Sequence, residues 1–155
     1  MDAFSNVDSN NRGKRIIDGY TPEPYHMPWI GLLVKDGKAR CTAFLVSKNA
    51  NAKASVWVLS AKHCFNDVLF DEYEDKTINS TSYGLLFGVH DLRFSTQHVI
   101  YRTIDELFIY PDEGLKTKDI ILIKLDRQIK FNSYINGLCL PDSTEEHTPY
   151  EDTPW

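Results

Sequence analysis

The stretch Val56–Cys64, VWVLSAKHC, joins an apolar run to a polar pair. Its first four residues, Val56 to Leu59, are β-branched, aromatic or aliphatic, which favours a strand buried on both faces over a helix. His63 and Cys64 follow where this strand is predicted to end. A histidine fixed at the end of a rigid strand is suited to proton transfer. The other interpretation is a loop histidine beside a structural thiol, and the pair alone leaves both open.

Five further segments carry a strand signal. Trp29–Val34 and Cys41–Val46 are short apolar runs separated by a turn sequence, KDGK, so they predict a hairpin. Three later segments are rich in β-branched and aromatic residues: YGLLFGVH, HVIYRTIDELFIY and KDIILIKL. No segment has convincing helical periodicity and no internal repeat is present. Many short strands with turns between them predict an all-β sandwich or a small barrel.

Length and composition allow one domain. The chain has 155 residues, of which 42% are hydrophobic, enough for a single core. The ends are polar, and we predict disordered segments over residues 1–15 and 142–155. The folded domain is therefore expected over residues 16–141.

Charge and hydropathy limit the expected partners. The net charge is −5, with acidic clusters near residues 71–75 and 145–152 and no basic stripe dense enough to follow phosphates. No apolar run approaches the roughly 18 residues of a membrane span. We therefore expect neither nucleic acid nor a membrane as a partner.

Some features of the sequence are typical of a cytosolic protein and others of a secreted one. Residues 1–15 lack the apolar core of a signal peptide, which taken literally leaves the chain in the cytosol. Three features argue for secretion: cysteines able to form a bridge, a glycosylation sequon at Asn79, and the basic run Arg12–Arg15. Together they predict a secreted, extracellular protein whose signal peptide is not part of this chain.

The three cysteines have different predicted roles. Cys41 opens one predicted strand and Cys64 closes its neighbour, so a bridge between them would fix His63 and contribute roughly 3 kcal/mol. Cys139 is left unpaired, either as a buried free thiol or as the partner of a cysteine elsewhere. No cysteine and histidine spacing of the zinc type occurs, so we expect no metal.

Asp119 is the second candidate for chemistry. It precedes an apolar run that reads as an interior strand, which places its carboxylate at a strand end, as for His63. A carboxylate at such a site needs a hydrogen-bond donor, and an imidazole N–H is suitable. The alternative is a structural aspartate that caps a turn.

Seven blocks of the sequence together resemble the trypsin-like, chymotrypsin-fold serine endopeptidases of family S1. In order and at about the family's spacing they are RIIDGY, PWIGLLV, CTAFLVS, VWVLSAKHC, FGVHDL, DIILIKL and GLCLP. The resemblance runs from Arg15 to Pro141 and matches the N-terminal half of the family's catalytic domain. It implies one six-stranded antiparallel β-barrel of the family's two-barrel fold, with the second barrel absent from this chain.

The resemblance assigns roles to particular residues. His63 would be the general base, and Asp119 would accept the N–H of its imidazole. Cys41 and Cys64 match the family's disulfide beside the histidine. Cleavage between Arg15 and Ile16 would activate the enzyme, which makes residues 1–15 propeptide-like and the chain a zymogen. Cys139 matches a position that is bridged to a propeptide cysteine in many relatives.

The departures from the family pattern affect the expected activity. No Gly-Asp-Ser-Gly-Gly stretch occurs, so the nucleophilic serine is missing and we expect this chain alone to be inactive. The alternative is a non-catalytic homologue that acts as a protein-binding or regulatory module, which the altered SAKHC and RIIDGY blocks favour. The loop after Gly88 lacks the carboxylates of the family's calcium site, so no cofactor or metal is expected.

Two kinds of partner follow from the resemblance. A protein or peptide substrate is expected if a second barrel completes the domain. A partner chain is expected to bind through Cys139 or through the barrel face left exposed without that second barrel.

Overall fold

The computed structural model describes residues 22–65, 82–92, 97–109 and 118–141. In these ranges the chain forms seven strands and one 3₁₀ helix, Lys62–Phe65. The strands are β1 (Ile30–Lys35), β2 (Lys38–Ser47), β3 (Ala54–Ser60), β4 (Tyr83–Phe87), β5 (Ile100–Ile109), β6 (Ile121–Lys130) and β7 (Leu138–Cys139). The predicted sites at Arg15–Ile16 and Asn79, and the terminal segments 1–15 and 142–155, lie outside the described residues.

Six of the strands close into an antiparallel barrel. They follow the order β1–β4–β5–β6–β3–β2, and β2 then pairs with β1 to complete the ring. β7 is added to β2 in parallel, with Val46 opposite Leu138 and Ser47 opposite Cys139. The predicted six-stranded antiparallel barrel is therefore confirmed. The sequence did not reveal β7, because two residues are too few to show a strand pattern.

β1 and β2 form a hairpin, and they are connected by the KDGK turn that the sequence predicted. Asp36 and Gly37 have φ angles of 49° and 73°, both in the left-handed region that a two-residue hairpin turn requires. Leu33 lies opposite Cys41, so the predicted pairing of the two apolar runs is confirmed. β2 begins at Lys38, three residues earlier than expected, because the ladder continues up to the turn.

One glycine in the barrel wall is required by its neighbour. Gly31 lies on β1, and a Cβ atom at this position would collide with the ring of Phe87 on β4. Phe87 is fully buried and belongs to the largest side chains of the core. The missing side chain at Gly31 therefore makes room for an aromatic ring inside the barrel.

The prediction that β3 is buried on both faces is wrong. Its burial is uneven, with Ser55, Val58 and Ser60 buried and Trp57 37% exposed, and its register on β6 shifts between Ser55 and Trp57. Trp57 lies on the outer surface, where its ring is 5.8 Å from that of Phe108. In a small barrel only the inward-facing residues reach the core, since successive side chains point to opposite faces.

Within the described ranges, no helix has the length and apolar character needed to span a membrane.

Candidate active site

His63 lies on a short turn that leaves the barrel wall. β3 ends at Ser60, and the 3₁₀ helix that follows leaves His63 exposed while it buries Cys64 and Phe65. The Phe65 ring stacks on Tyr83 of β4, with 5.1 Å between ring centroids. The buried Phe65 ring therefore holds the turn against the core, and the imidazole of His63 is left exposed to solvent.

Asp119 contacts His63 through both carboxylate oxygens. Oδ2 lies 2.6 Å from Nδ1 of the imidazole, and Oδ1 accepts the backbone N–H of His63 at 2.9 Å. The second bond fixes the carboxylate relative to the turn, and the first orients the ring. With the proton on Nδ1, the ring donates a hydrogen bond to Asp119. The unprotonated Nε2 then carries a lone pair that faces away from the carboxylate.

Pairing of two strands brings these residues together although 56 positions separate them. Ser60 at the end of β3 lies opposite Ile121 at the start of β6. His63 follows Ser60 by three residues, and Asp119 precedes Ile121 by two. The register of β3 on β6 therefore determines the contact. Both side chains remain accessible, with 62% of His63 and 56% of Asp119 exposed.

The contact holds the pKa of the Asp119 carboxyl below its ordinary value. The main cause is the hydrogen bond from the His63 side chain, followed by the bond from the His63 backbone. Both bonds favour the charged form. Asp119 is therefore a carboxylate at neutral pH.

Asp119 should make the stability of the domain depend on pH in the acid range. The pKa of Asp119 is lower in the folded state than in the unfolded chain, where it is about 3.9. The carboxylate therefore stabilises the fold at pH values above the unfolded-state pKa, and this contribution is lost as the pH falls through the folded-state pKa. We expect the difference in unfolding free energy between the wild type and D119N to shrink as the pH falls from about 7 to about 3. Urea denaturation over this range measures it, and a difference that is independent of pH would contradict the expectation.

A disulfide ties the turn to β2. Cys41 and Cys64 are bonded, with Cα atoms 6.3 Å apart and a sequence separation of 23. The bond joins the residue next to His63 to the wall of the barrel. It therefore limits movement of the imidazole relative to β2.

Arg40 adds a second tie between the same two segments. Its Nε atom donates a hydrogen bond of 2.6 Å to the carbonyl oxygen of Cys64. Ser60 makes a similar link, because its hydroxyl donates to the carbonyl of Thr42 at 2.9 Å. Arg40 was not recognised from the sequence, where the only signal available was its position beside Cys41.

The sulfur atoms near His63 do not make a metal site. Ligand atoms of Cys41, His63 and Cys64 lie within 4.8 Å of one another, and they are the one such group among the described residues. The two sulfurs are bonded to each other, whereas zinc requires thiolates. The group therefore offers no more than a single imidazole.

Cys139 lies on β7, away from the disulfide pair. It is exposed and unbridged, with its Sγ atom 3.9 Å from the Ser47 hydroxyl. Of the two interpretations that the sequence left open, the buried thiol is therefore wrong. The short parallel pairing with β2 holds the residue at the surface.

Comparison with known proteins agrees with this architecture. The family model described as Trypsin matches residues 16–155. The human protein "Transmembrane protease serine 11B" is 28% identical over 131 residues, which cover 84% of this chain and 27% of that protein. The chain thus spans about a quarter of the length of this relative. Since the family model covers nearly the whole sequence, the chain belongs to the trypsin-like serine proteases of family S1.

Proposed function

We propose that this chain supplies the general base and the orienting carboxylate of a trypsin-like serine endopeptidase. The observation that carries the proposal is the double contact of Asp119 with the ring and the backbone of His63. A carboxylate held by the ring alone would leave the imidazole free to rotate. Here the backbone N–H of His63 fixes the carboxylate, and the fixed carboxylate in turn orients the ring. Such an arrangement suits a base that must meet a nucleophile in one direction.

The chemistry is peptide-bond hydrolysis through an acyl-enzyme. Nε2 of His63 takes the proton of a serine hydroxyl as its oxygen attacks the peptide carbonyl, and then gives that proton to the leaving amine. Asp119 accepts the Nδ1–H bond throughout and stabilises the imidazolium. The lowered pKa of Asp119 fits this role, since the carboxylate stays ionised while the imidazole carries the proton.

The nucleophile would come from a segment outside these 155 residues. They contain no Gly-Asp-Ser-Gly-Gly stretch, so we propose that this chain alone is inactive and that a second barrel completes the site. We further propose a domain over 16–141, a secreted zymogen cut between Arg15 and Ile16, and glycosylation at Asn79. The exposed thiol of Cys139 supports a bridge to a partner chain or segment.

A non-catalytic homologue is the second candidate. It is favoured by the altered SAKHC block, in which Lys62 stands directly before His63 where the family has a small residue, and by the altered RIIDGY block. In that case the barrel would bind a protein without cleaving it.

Labelling with a fluorophosphonate distinguishes the two candidates. An activated serine displaces fluoride from phosphorus, and the base beside it takes the hydroxyl proton. We expect the complete natural protein that contains this chain to be labelled after activation, and its H63A variant and the 155-residue chain to remain unlabelled. Absence of label on the activated complete protein would reject the enzyme in favour of the binding module.

A further inference from the structure

A pocket of about 150 Å³ lies among residues that are not part of the candidate active site. It is lined mainly by three segments, namely the one before β1, the one after β4 and the connection between β6 and β7. We call this cavity the aromatic pocket. A cavity of this volume has room for a group of about the size of benzene.

Two half-buried tyrosines line the aromatic pocket and are held by other rings. The rings of Tyr25 and Tyr134 meet at 4.9 Å between centroids, with 76° between their planes. His98 stacks on Tyr134 at 3.5 Å, and Tyr25 lies 6.0 Å from His98 and 5.9 Å from His90. Because these contacts already restrict both tyrosines, a ligand that packs on them has little side-chain entropy to remove.

The backbone of Tyr25 is held in an unfavourable conformation. Its φ angle is 59°, in the left-handed region that is costly for a residue other than glycine. The ring contacts with Tyr134 and His98 help to keep it there. Backbone conformations of this kind are concentrated at positions that hold ligands or act as switches. This supports a binding role for the pocket.

The charges at the aromatic pocket favour a cation. Glu23 is exposed and contributes a carboxylate, whereas the described residues that line the pocket include no lysine or arginine. The net charge of the whole chain is −5, which also attracts cations. Ammonium groups bind to aromatic rings through cation–π interactions and donate charge-assisted hydrogen bonds to carboxylates.

We propose that the aromatic pocket binds an alkylammonium group, which contacts the rings of Tyr25 and Tyr134 and is neutralised by the carboxylate of Glu23. Two sources carry this chemistry, the side chain of a lysine in a protein and a free small amine. The proposal involves neither His63 nor Asp119, and it goes beyond the proposed function.

Titration of small molecules into the 155-residue chain tests the proposal. n-Butylammonium and n-butanol, a neutral molecule of the same length, are added separately to the isotopically labelled chain at low salt. The amide signals of Glu23, Tyr25, His90 and Tyr134 are followed by NMR. We expect n-butylammonium to shift these signals to saturation, with a Kd roughly fivefold lower than that of n-butanol.

Matched variants separate the pocket from general electrostatics. E23Q removes the charge and keeps the size of the side chain, so it should raise the Kd of n-butylammonium roughly two- to fivefold and leave that of n-butanol unchanged. D36N is the control. It removes an exposed carboxylate at the other end of β1, in a turn whose left-handed backbone asparagine also accepts, and should leave both Kd values unchanged.

A third variant tests the ring itself. Y134L keeps an apolar side chain but removes the aromatic face, so it should weaken n-butylammonium more than n-butanol. Tyr134 packs against the core, whereas Glu23 is exposed. E23Q therefore keeps the test valid if Y134L disturbs the fold.

A blocked Gly-Lys-Gly peptide distinguishes the two sources of the ammonium group. If it displaces n-butylammonium, the pocket accepts a lysine side chain of a protein. If only n-butylammonium binds, the pocket takes a free amine. Either result supports the alkylammonium site.

Three results would overturn the proposal. They are equal Kd values for n-butylammonium and n-butanol, equal weakening by E23Q and D36N, and shifts confined to signals outside the pocket. Because the titration needs neither a serine nor a general base, its outcome is independent of fluorophosphonate labelling. A rejected enzyme and a rejected ammonium site are therefore distinguishable.

Discussion

If the proposed function is right, replacing Asp119 by asparagine in the complete protein is expected to lower kcat for peptide hydrolysis by about 10⁴-fold. The side chain keeps its size, so Oδ1 can still accept the backbone N–H of His63. The amide group would then face Nδ1 as a donor and force the ring proton onto Nε2. An Nε2–H imidazole has no lone pair for the proton of the serine, so the general base is lost although the fold remains.

Two measurements check the Asp119 prediction. Steady-state hydrolysis of a peptide substrate gives kcat, and ¹⁵N NMR of the imidazole in the 155-residue chain shows which ring nitrogen carries the proton. D126N is the matched control, because Asp126 also accepts a backbone N–H, that of Thr103, at 3.2 Å. A kcat of D119N close to that of D126N, or an unchanged tautomer, would contradict the role given to Asp119.

Removing the disulfide with C41S/C64S is expected to lower the free energy of unfolding by roughly 3 kcal/mol. The bond closes a loop across 23 positions, which restricts the unfolded chain, and it fixes the turn of His63 on β2 in the folded one. A loss of this size is a large fraction of the stability of a small domain. Urea denaturation with the midpoint and slope compared between variants measures it.

C139S is the control for the disulfide variant. Cys139 is exposed and unbridged, so its replacement should change the unfolding free energy by no more than about 0.5 kcal/mol. If C41S/C64S and C139S unfold at the same urea concentration, the bond contributes nothing to stability. Treatment of the wild type with a reducing agent should reproduce the C41S/C64S result.

Local sequence patterns predicted the individual elements of the barrel. The apolar runs became strands because β-branched and aromatic side chains suit a half-buried pleated surface, and β3 matches the segment ASVWVLS in full. The turn at Asp36–Gly37 was readable because its backbone needs residues that accept positive φ. Each of these features depends on residues close together in the chain.

The candidate site was only partly readable from the residues. His63 and Asp119 were each ambiguous alone; their places at predicted strand ends suggested a pair, and the resemblance to a known family assigned their roles. Arg40 was not identified from the sequence, because its hydrogen bond reaches the carbonyl of Cys64, 24 positions away. A backbone carbonyl can accept such a bond whatever its residue type, so no sequence pattern predicts it.

The sequence by itself determined the six strand segments that form the barrel, where the first hairpin turns and which residue types are available for proton transfer. Only the tertiary structure decided that β3 lies on β6 in the register that joins His63 to Asp119, that Trp57 faces outward and that Cys139 is exposed. The physical reason is that a period-two pattern specifies the face of a residue but not the neighbour of its strand. Strand neighbours are chosen by closure of the whole barrel, in which every edge must find a partner.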